Sequence, residues 1–298
     1  MIKINSYKVL IAVDFEEQSL LALATGVAFA KAISAEITVL HVIDDSGLIG
    51  KHLTEAQFAE IKKDADTRLQ ECVKPFAQAK TRKFIGATLT LRGKVYEKIL
   101  EHAAEMHASV IILGCRNAAQ GGHQFIGSNS LHIIRSSPNA VLTIKRKPHR
   151  PTCGTIILPL DLTKETREKV ARAIEIAVGQ KACVRVISVA FTKDEFVVNR
   201  LTRQLAQIKA EFEKASVECT SEIIKGVKDE ENLAECIVDY AEKEDGDLLL
   251  LMTQQETDAT ACFIGSAAQE MILRADMPVL SIIPLSVRKR AKAGMRKK

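Results

Sequence analysis

Hydrophobic positions along the chain fall into short continuous runs separated by longer stretches of helical period, and this pattern occurs twice. The first run, 8–13, ends in Asp14, and its counterpart, 155–160, ends in Asp161. Continuous apolar runs of five or six residues read as strands buried on both faces. Each is followed by a hydroxyl-bearing acidic turn and an amphipathic stretch, 19–33 in the first half and 166–178 in the second, which reads as a helix. Second strands follow at 37–42 and 184–189, displaced from each other by 147 positions, the same displacement that relates Asp14 to Asp161. Longer helices are expected at 54–79 and 194–215, and third strands end near Gly93 and Gly226. The most hydrophobic strands, 110–115 and 248–253, come fourth. After them the tetrapeptide Phe125-Ile126-Gly127-Ser128 recurs letter for letter as Phe263-Ile264-Gly265-Ser266. A helix and a last strand, 140–144 and 278–283, close each half.

Five strands alternating with helices, twice, predict an α/β protein of two tandem doubly wound parallel sheets. With the mononucleotide-type strand order 3-2-1-4-5, the ligand crevice lies at the carboxyl ends of strands 1 and 4, where the order reverses. Asp14 and Gly114 both face that point. The stretch 145–154 carries two prolines and a cluster of bases and marks the boundary. The expected domains are therefore 1–146 and 155–285, with a linker at 147–154 and a basic tail at 286–298 that lacks apolar periodicity.

A chain of 298 residues with 47% hydrophobic and 27% charged residues is long enough for two cores and is neither disordered nor collagen-like. No apolar run approaches the roughly 20 residues that span a bilayer, and the amino-terminal run stops at Asp14. A cytoplasmic protein is expected. The seven cysteines form no C-x-x-C pair, so neither a disulfide framework nor a zinc site is expected, and no two histidines have the i, i+4 spacing of a helical metal site. Net charge is +5, but it is uneven. Residues 1–150 hold 20 basic and 14 acidic side chains, whereas 151–298 hold 22 and 23, seven of the basic ones lying in the tail from Arg288. The two halves thus differ electrostatically while sharing one design.

These landmarks resemble the universal stress protein family in its tandem, two-domain form, and the resemblance covers almost the whole chain. Nucleotide-binding members carry a loop G-x2-G-x9-G-[ST] after the fourth strand. Here the first half gives Gly114, then Asn117 in place of the second glycine, then Gly127, Ser128 and Ser130 at the kept spacing. A glycine turn running into a helix N-terminus offers converging N–H donors and a favourable dipole to phosphate. Asn tolerates the left-handed region best after glycine, so Asn117 preserves the loop shape while crowding the ligand. Arg116 and His123 offer positive groups, and Gly121 and Gly122 add freedom. In the second half both leading glycines are lost, at Met252 and Gln255, Ala268 replaces the hydroxyl of Ser130, and Asp258 adds a negative charge. That site is expected to be vestigial, or to take a smaller or less charged ligand.

The resemblance implies that Asp14 contacts the base or ribose, that the backbone of Val42 reads the adenine edge, and that Gly127, Ser128 and Ser130 hold phosphate. Each has a plainer reading: Gly-Ser at a helix start is also an ordinary N-cap, and Asp14 an ordinary strand-end cap. Adenylation signatures, a Walker loop and a G-x-S-x-G elbow are missing, so efficient catalysis is not expected, although slow ATP hydrolysis is compatible. The function implied is a stress-response regulator binding ATP or AMP in the first crevice and signalling to a protein partner. The alternative is a nucleotide-free scaffold acting through protein partners. In this family the last strands commonly pair across a dimer, so 140–144 and 278–283 are expected to meet in an intramolecular pseudo-dimer, with a further homodimer open. The basic tail suggests nucleic acid or an anionic membrane surface, but no aromatic residues interleave with its charges, and a solubilising end is preferred.

Overall fold

The computed structural model describes residues 7–47, 54–76, 84–115, 118–120, 123–148, 150, 152–160, 166–226, 232–253 and 265–284, with backbone only at 118–120 and 123–125. The chain folds into two compact units, Met1–Lys147 and Pro148–Lys298.

In the first unit the elements run β1 (Lys8–Ala12), α1 (Glu17–Ala32), β2 (Glu36–Ile43), α2 (Glu55–Val73) with a 3-10 turn at Lys74–Phe76, β3 (Ile85–Arg92), α3 (Val95–Glu105) and β4 (Val110–Gly114). A short antiparallel hairpin follows, β5 (Ala118–Gln120) and β6 (His123–Phe125), before α4 (Ser128–Ser136) and β7 (Ala140–Ile144). The sheet is wholly parallel in the order β3-β2-β1-β4-β7. The second unit repeats it: β8 (Thr155–Pro159), α5 (Thr166–Gln180), β9 (Cys183–Ala190), α6 (Glu195–Lys214), β10 (Cys219–Lys225), α7 (Leu233–Lys243), β11 (Leu248–Met252), α8 (Ser266–Arg274) and β12 (Val279–Ile282). Its order is β10-β9-β8-β11-β12, also parallel. Both match the expected 3-2-1-4-5. The hairpin β5–β6 was not expected.

Each core lies along the central strands. Val9, Leu10 and Ile11 of β1 and Leu249 and Leu250 of β11 are completely buried, each worth roughly 1.5–3 kcal/mol of transfer free energy. Helix α1 lies so close to the sheet that a Cβ on Gly26 would come within 2.9 Å of Ile11 Cδ1 and of Ile112 Cδ1. Three helix starts are capped by side chains. Thr54 and Gln57 form a reciprocal capping box on α2, and Asp194 and Asn232 cap α6 and α7 through their side chains.

Helix ends are closed without glycine. Ser34 (φ 54°), His107 (55°), Lys181 (56°), Ser216 (57°) and Asp245 (48°) each follow a helix in the left-handed region. The next residue then donates back five positions, as in Ala35 N to Ala30 O (2.8 Å), Ala182 N to Ala177 O (2.9 Å) and Gly246 N to Ala241 O (2.8 Å). Ser34 and Lys181 are related by the first-strand displacement, so the same strained device recurs in both copies.

Where β1 and β8 end, one bond is kept by two chemistries. His41 Nδ1 donates to the Val13 carbonyl at 2.8 Å, and at the matching position Ser188 Oγ donates to the Leu160 carbonyl at 2.9 Å. Burial holds the His41 pKa below its ordinary value, with Arg68 acting in the same sense and the Val13 bond, Asp14 and Asp66 opposing it. The unfolded chain therefore takes up a proton near pH 6.5 that the folded chain resists. Stability present above that pH is lost as pH falls through the lower, folded value.

Two outcomes follow. Lys181→Gly, at an exposed left-handed position, is expected to stabilise the second unit by about 1 kcal/mol, seen as a raised urea midpoint; an unchanged or lowered midpoint contradicts it. His41→Ser, which copies the second unit's bond, is expected to flatten the fall in urea midpoint between about pH 7 and pH 5. Equal slopes for both proteins would place the proton uptake elsewhere.

Candidate functional site

At the carboxyl end of the first sheet, β1 and β4 send their chains to different helices, and a crevice of about 270 Å³ opens between them. Its wall includes Val13 and Asp14 after β1, Leu40 and Val42 on β2, Gly114 at the end of β4, and Asn129 and Ser130 in the first turn of α4.

Strand geometry makes Val42 more than an apolar wall. Leu40 presents its carbonyl to β1, where it accepts from Val13 N (2.9 Å), and Ile43 presents its carbonyl to β3, where it accepts from Gly93 N (3.1 Å). Backbone groups alternate between the two edges of a strand. The N–H and C=O of Val42 therefore face the side on which β1 has already ended. Val189 has the same setting, since Ile187 accepts from Leu160 N (2.8 Å) and Ala190 from Gly226 N (3.1 Å).

Asp14 is exposed at the crevice, and its Oδ1 accepts from Glu16 N at 3.0 Å while its own N–H donates to Ser19 Oγ at 3.1 Å. Ser19 Oγ in turn donates to the Glu16 carbonyl at 2.9 Å. The carboxylate thus closes the turn into α1, and Oδ2 has no hydrogen-bond partner among the described residues. The next residue, Phe15, holds φ 66° although it is aromatic. It is stabilised from outside the backbone: its ring lies 4.4 Å from that of His41, and the Arg68 guanidinium carbon stands 4.3 Å from its centroid. Unlike the other left-handed non-glycine residues described, Phe15 does not end a helix. Strain of this kind concentrates at functional sites. Sequence reasoning passed over Phe15, His41 and Arg68, whose juxtaposition comes from three separate elements.

The glycines separate into two kinds. Gly114 is required by the fold: a Cβ there would lie 2.6 Å from Ser19 N and closer still to the Gln18 carbonyl, both backbone atoms. Gly127 is not. It is the N-cap of α4 with φ −54°, which any residue adopts, and an added Cβ would meet nothing within 4 Å. No side chain caps α4, and α8 likewise starts at an uncapped Gly265 with open space at its Cβ. Among the described residues, both helix N-termini therefore leave their first N–H groups without a side-chain cap beside the crevice. Ser128 is exposed in the first turn, and it begins the helix rather than capping it. Ser130 faces the crevice, and burial pushes the neighbouring Cys115 thiol up to about 11.

The structure brings Asp14, Val42, Gly114 and Ser130 together on one crevice, with Gly127 and Ser128 at the start of the helix that borders it. Asn117 lies outside the described residues, as do Arg116, Gly121, Gly122, Asp161, Gln255 and Asp258; the His123 side chain is likewise not described. Among the described lining residues Asp14 is the one formal charge. Among the described residues, no group of three or more His, Cys, Asp or Glu side chains could hold a metal ion, and no helix is long and apolar enough to cross a membrane.

Comparison with known proteins agrees with this architecture. The model of the universal stress protein family matches residues 6–145 and again 153–282. Universal stress protein YxiE of Bacillus subtilis is 28% identical over 148 residues, covering 46% of this chain and 98% of that protein. A universal stress protein of Thermus aquaticus is 29% identical over 137 residues, 46% of this chain and 97% of its own length. Among solved structures, a universal stress protein from Archaeoglobus fulgidus DSM 4304 superposes with a TM-score of 0.72 at 18% identity, covering 94% of this chain and 99% of that one. A functionally unknown protein from Pseudomonas aeruginosa PAO1 gives 0.70 at 17% identity, covering 99% and 98%. Two successive matches to one family model, in the same places as the two folded units, make this chain a tandem member of the universal stress protein family.

Proposed function

We propose that the first unit binds an adenine nucleotide, AMP or ATP, and that the protein acts as a nucleotide-responsive regulator in the stress response rather than as an efficient enzyme. The observation that carries this reading is Gly127. Neither its φ nor its surroundings call for glycine, yet its lack of a side chain keeps the N-terminus of α4 open toward the crevice. An anionic ligand approaching that N-terminus supplies the reason.

The remaining groups fit the same ligand. Val42 turns one donor and one acceptor into the crevice, the pair that an adenine edge requires. Asp14 Oδ2 is placed to accept from a ribose hydroxyl. A phosphate at α4 would meet the first N–H groups of the helix and the Ser128 and Ser130 hydroxyls. The described crevice supplies one anion-binding element and no cation, which suits a single phosphate; the further charge of ATP would depend on the segment between Cys115 and Gly127. Binding there would act beside the hairpin β5–β6 and so alter the surface offered to a protein partner.

Equilibrium binding of labelled AMP and ATP to the full chain is expected to saturate at one site. Gly127→Asp should weaken it at least tenfold while leaving the unfolding midpoint equal or slightly higher, because aspartate is a good N-cap and takes the place of the phosphate. Absence of saturable binding, or binding indifferent to Gly127→Asp, would favour a nucleotide-free scaffold instead. Gly114→Ala is expected to behave in the opposite way, costing about 1–3 kcal/mol of stability through its clash with the α1 backbone; an unaltered midpoint contradicts the close approach.

A further inference from the structure

The second unit has a cavity at the same topological point, and it is the larger one, about 500 Å³ against about 270 Å³. Loss of the phosphate loop did not close it. What changed is the chemistry of the wall. At equivalent positions Met252 replaces Gly114, Ala267 replaces Asn129, Ala268 replaces Ser130 and Leu160 replaces Val13. Helix α6 adds Val197 and Leu201, and Phe191 adds a ring. The described lining is apolar apart from a few groups, as in sites for small apolar-bodied ligands.

Two further features bear on the occupant. Leu233, a wall residue, is 39% exposed, so apolar surface of the wall reaches the outside of the cavity. Water covers that surface at a cost that an apolar ligand would remove. Within the cavity the polar groups are few and suit an anion. Lys169 of α5 contributes to the wall while being only 7% exposed, and the uncapped N-terminus of α8, with the open Gly265, borders the same space. An ammonium has three donors, so it can serve a ligand in addition to a protein acceptor.

We propose that this cavity is a binding site for an amphiphile with an aliphatic body and a single anionic head, of the class of medium-chain carboxylic acids. The aliphatic body lies among Leu160 after β8, Ile187 of β9, Leu251 of β11 and Leu233 and Ile237 of α7, and the carboxylate lies toward Lys169 and the first turn of α8. This site is separate from the nucleotide crevice and does not rest on it.

Calorimetric titration of the full chain with decanoate tests the assignment. Saturable one-to-one binding is expected, at least tenfold tighter than for decanol, which has the same body without the charge. Ala267→Asp, adding a carboxylate to the first turn of α8, should weaken decanoate at least tenfold and decanol little; Lys169→Met should do the same if it folds. Gly127→Asp, in the other unit, should leave decanoate affinity unchanged, which keeps this result separable from that for nucleotide. The chain has no tryptophan, so Phe191→Trp provides a single fluorescent reporter whose emission should shift to the blue as decanoate fills the cavity. Heat that never saturates, decanol binding as well as decanoate, no response at Phe191→Trp, or AMP displacing decanoate would each overturn the proposal.

Discussion

The reversal of strand order beside β1 and β8 is the constraint on which both sites depend. Two neighbouring parallel strands there send their chains to opposite faces of the sheet, so no connection covers the gap between their carboxyl ends. The consequences are visible atom by atom. Val13 and Leu160 make the last described backbone bonds to the adjacent strand, at Leu40 and Ile187, and two residues further on Val42 and Val189 have backbone groups facing an edge that no described strand occupies. The His41 and Ser188 side chains tie down the strand ends just before that edge begins. A helix N-terminus without a cap borders the same opening in each unit. The fold supplies donors, an acceptor and a dipole before any particular ligand is considered.

From this common frame the two copies diverge through the size and polarity of a few side chains. Gly114 lets the N-terminus of α1 lie against β4, and the first crevice is small and polar at its rim. Met252, Ala267 and Ala268 make the second crevice apolar without filling it. Gly127 and Gly265 are kept in both, although among the described residues nothing around them excludes a side chain. Keeping the open helix end while exchanging the wall is what a change of ligand requires; loss of a ligand would place no such demand on Gly265.

The strands and their order were legible because parallel strands buried on both faces are continuous apolar runs, and 8–13 and 248–253 are too short for a typical helix and alternate with helical stretches. The duplicate helped, since two copies of one register support each other. Helix ends were less legible. Ser34, His107, Lys181, Ser216 and Asp245 close helices in a conformation for which glycine is the usual sequence signal. The hairpin β5–β6 carries a sequence signal, the Gly121-Gly122 pair between short segments, which differs from plain loop freedom only through the pairing around it. Asp14 and Gly114 are placed at the crevice by the strand order, and Val42 and Ser130 by the family resemblance. The Phe15, His41 and Arg68 cluster did not, because its members meet only when β1, β2 and α2 are packed together. In the second half each substitution by itself implies a lost phosphate contact; their sum, an enlarged apolar cavity, is visible only in three dimensions.

Amide hydrogen exchange of the full chain with and without AMP tests the central claim most directly, because it reports each backbone donor in place. The account predicts slowed exchange at Val42 and over 127–131 on adding AMP, with the matching segments around Val189 and 265–269 unchanged. Equal protection in both units, or protection in neither, would contradict a division of labour between two copies of one crevice.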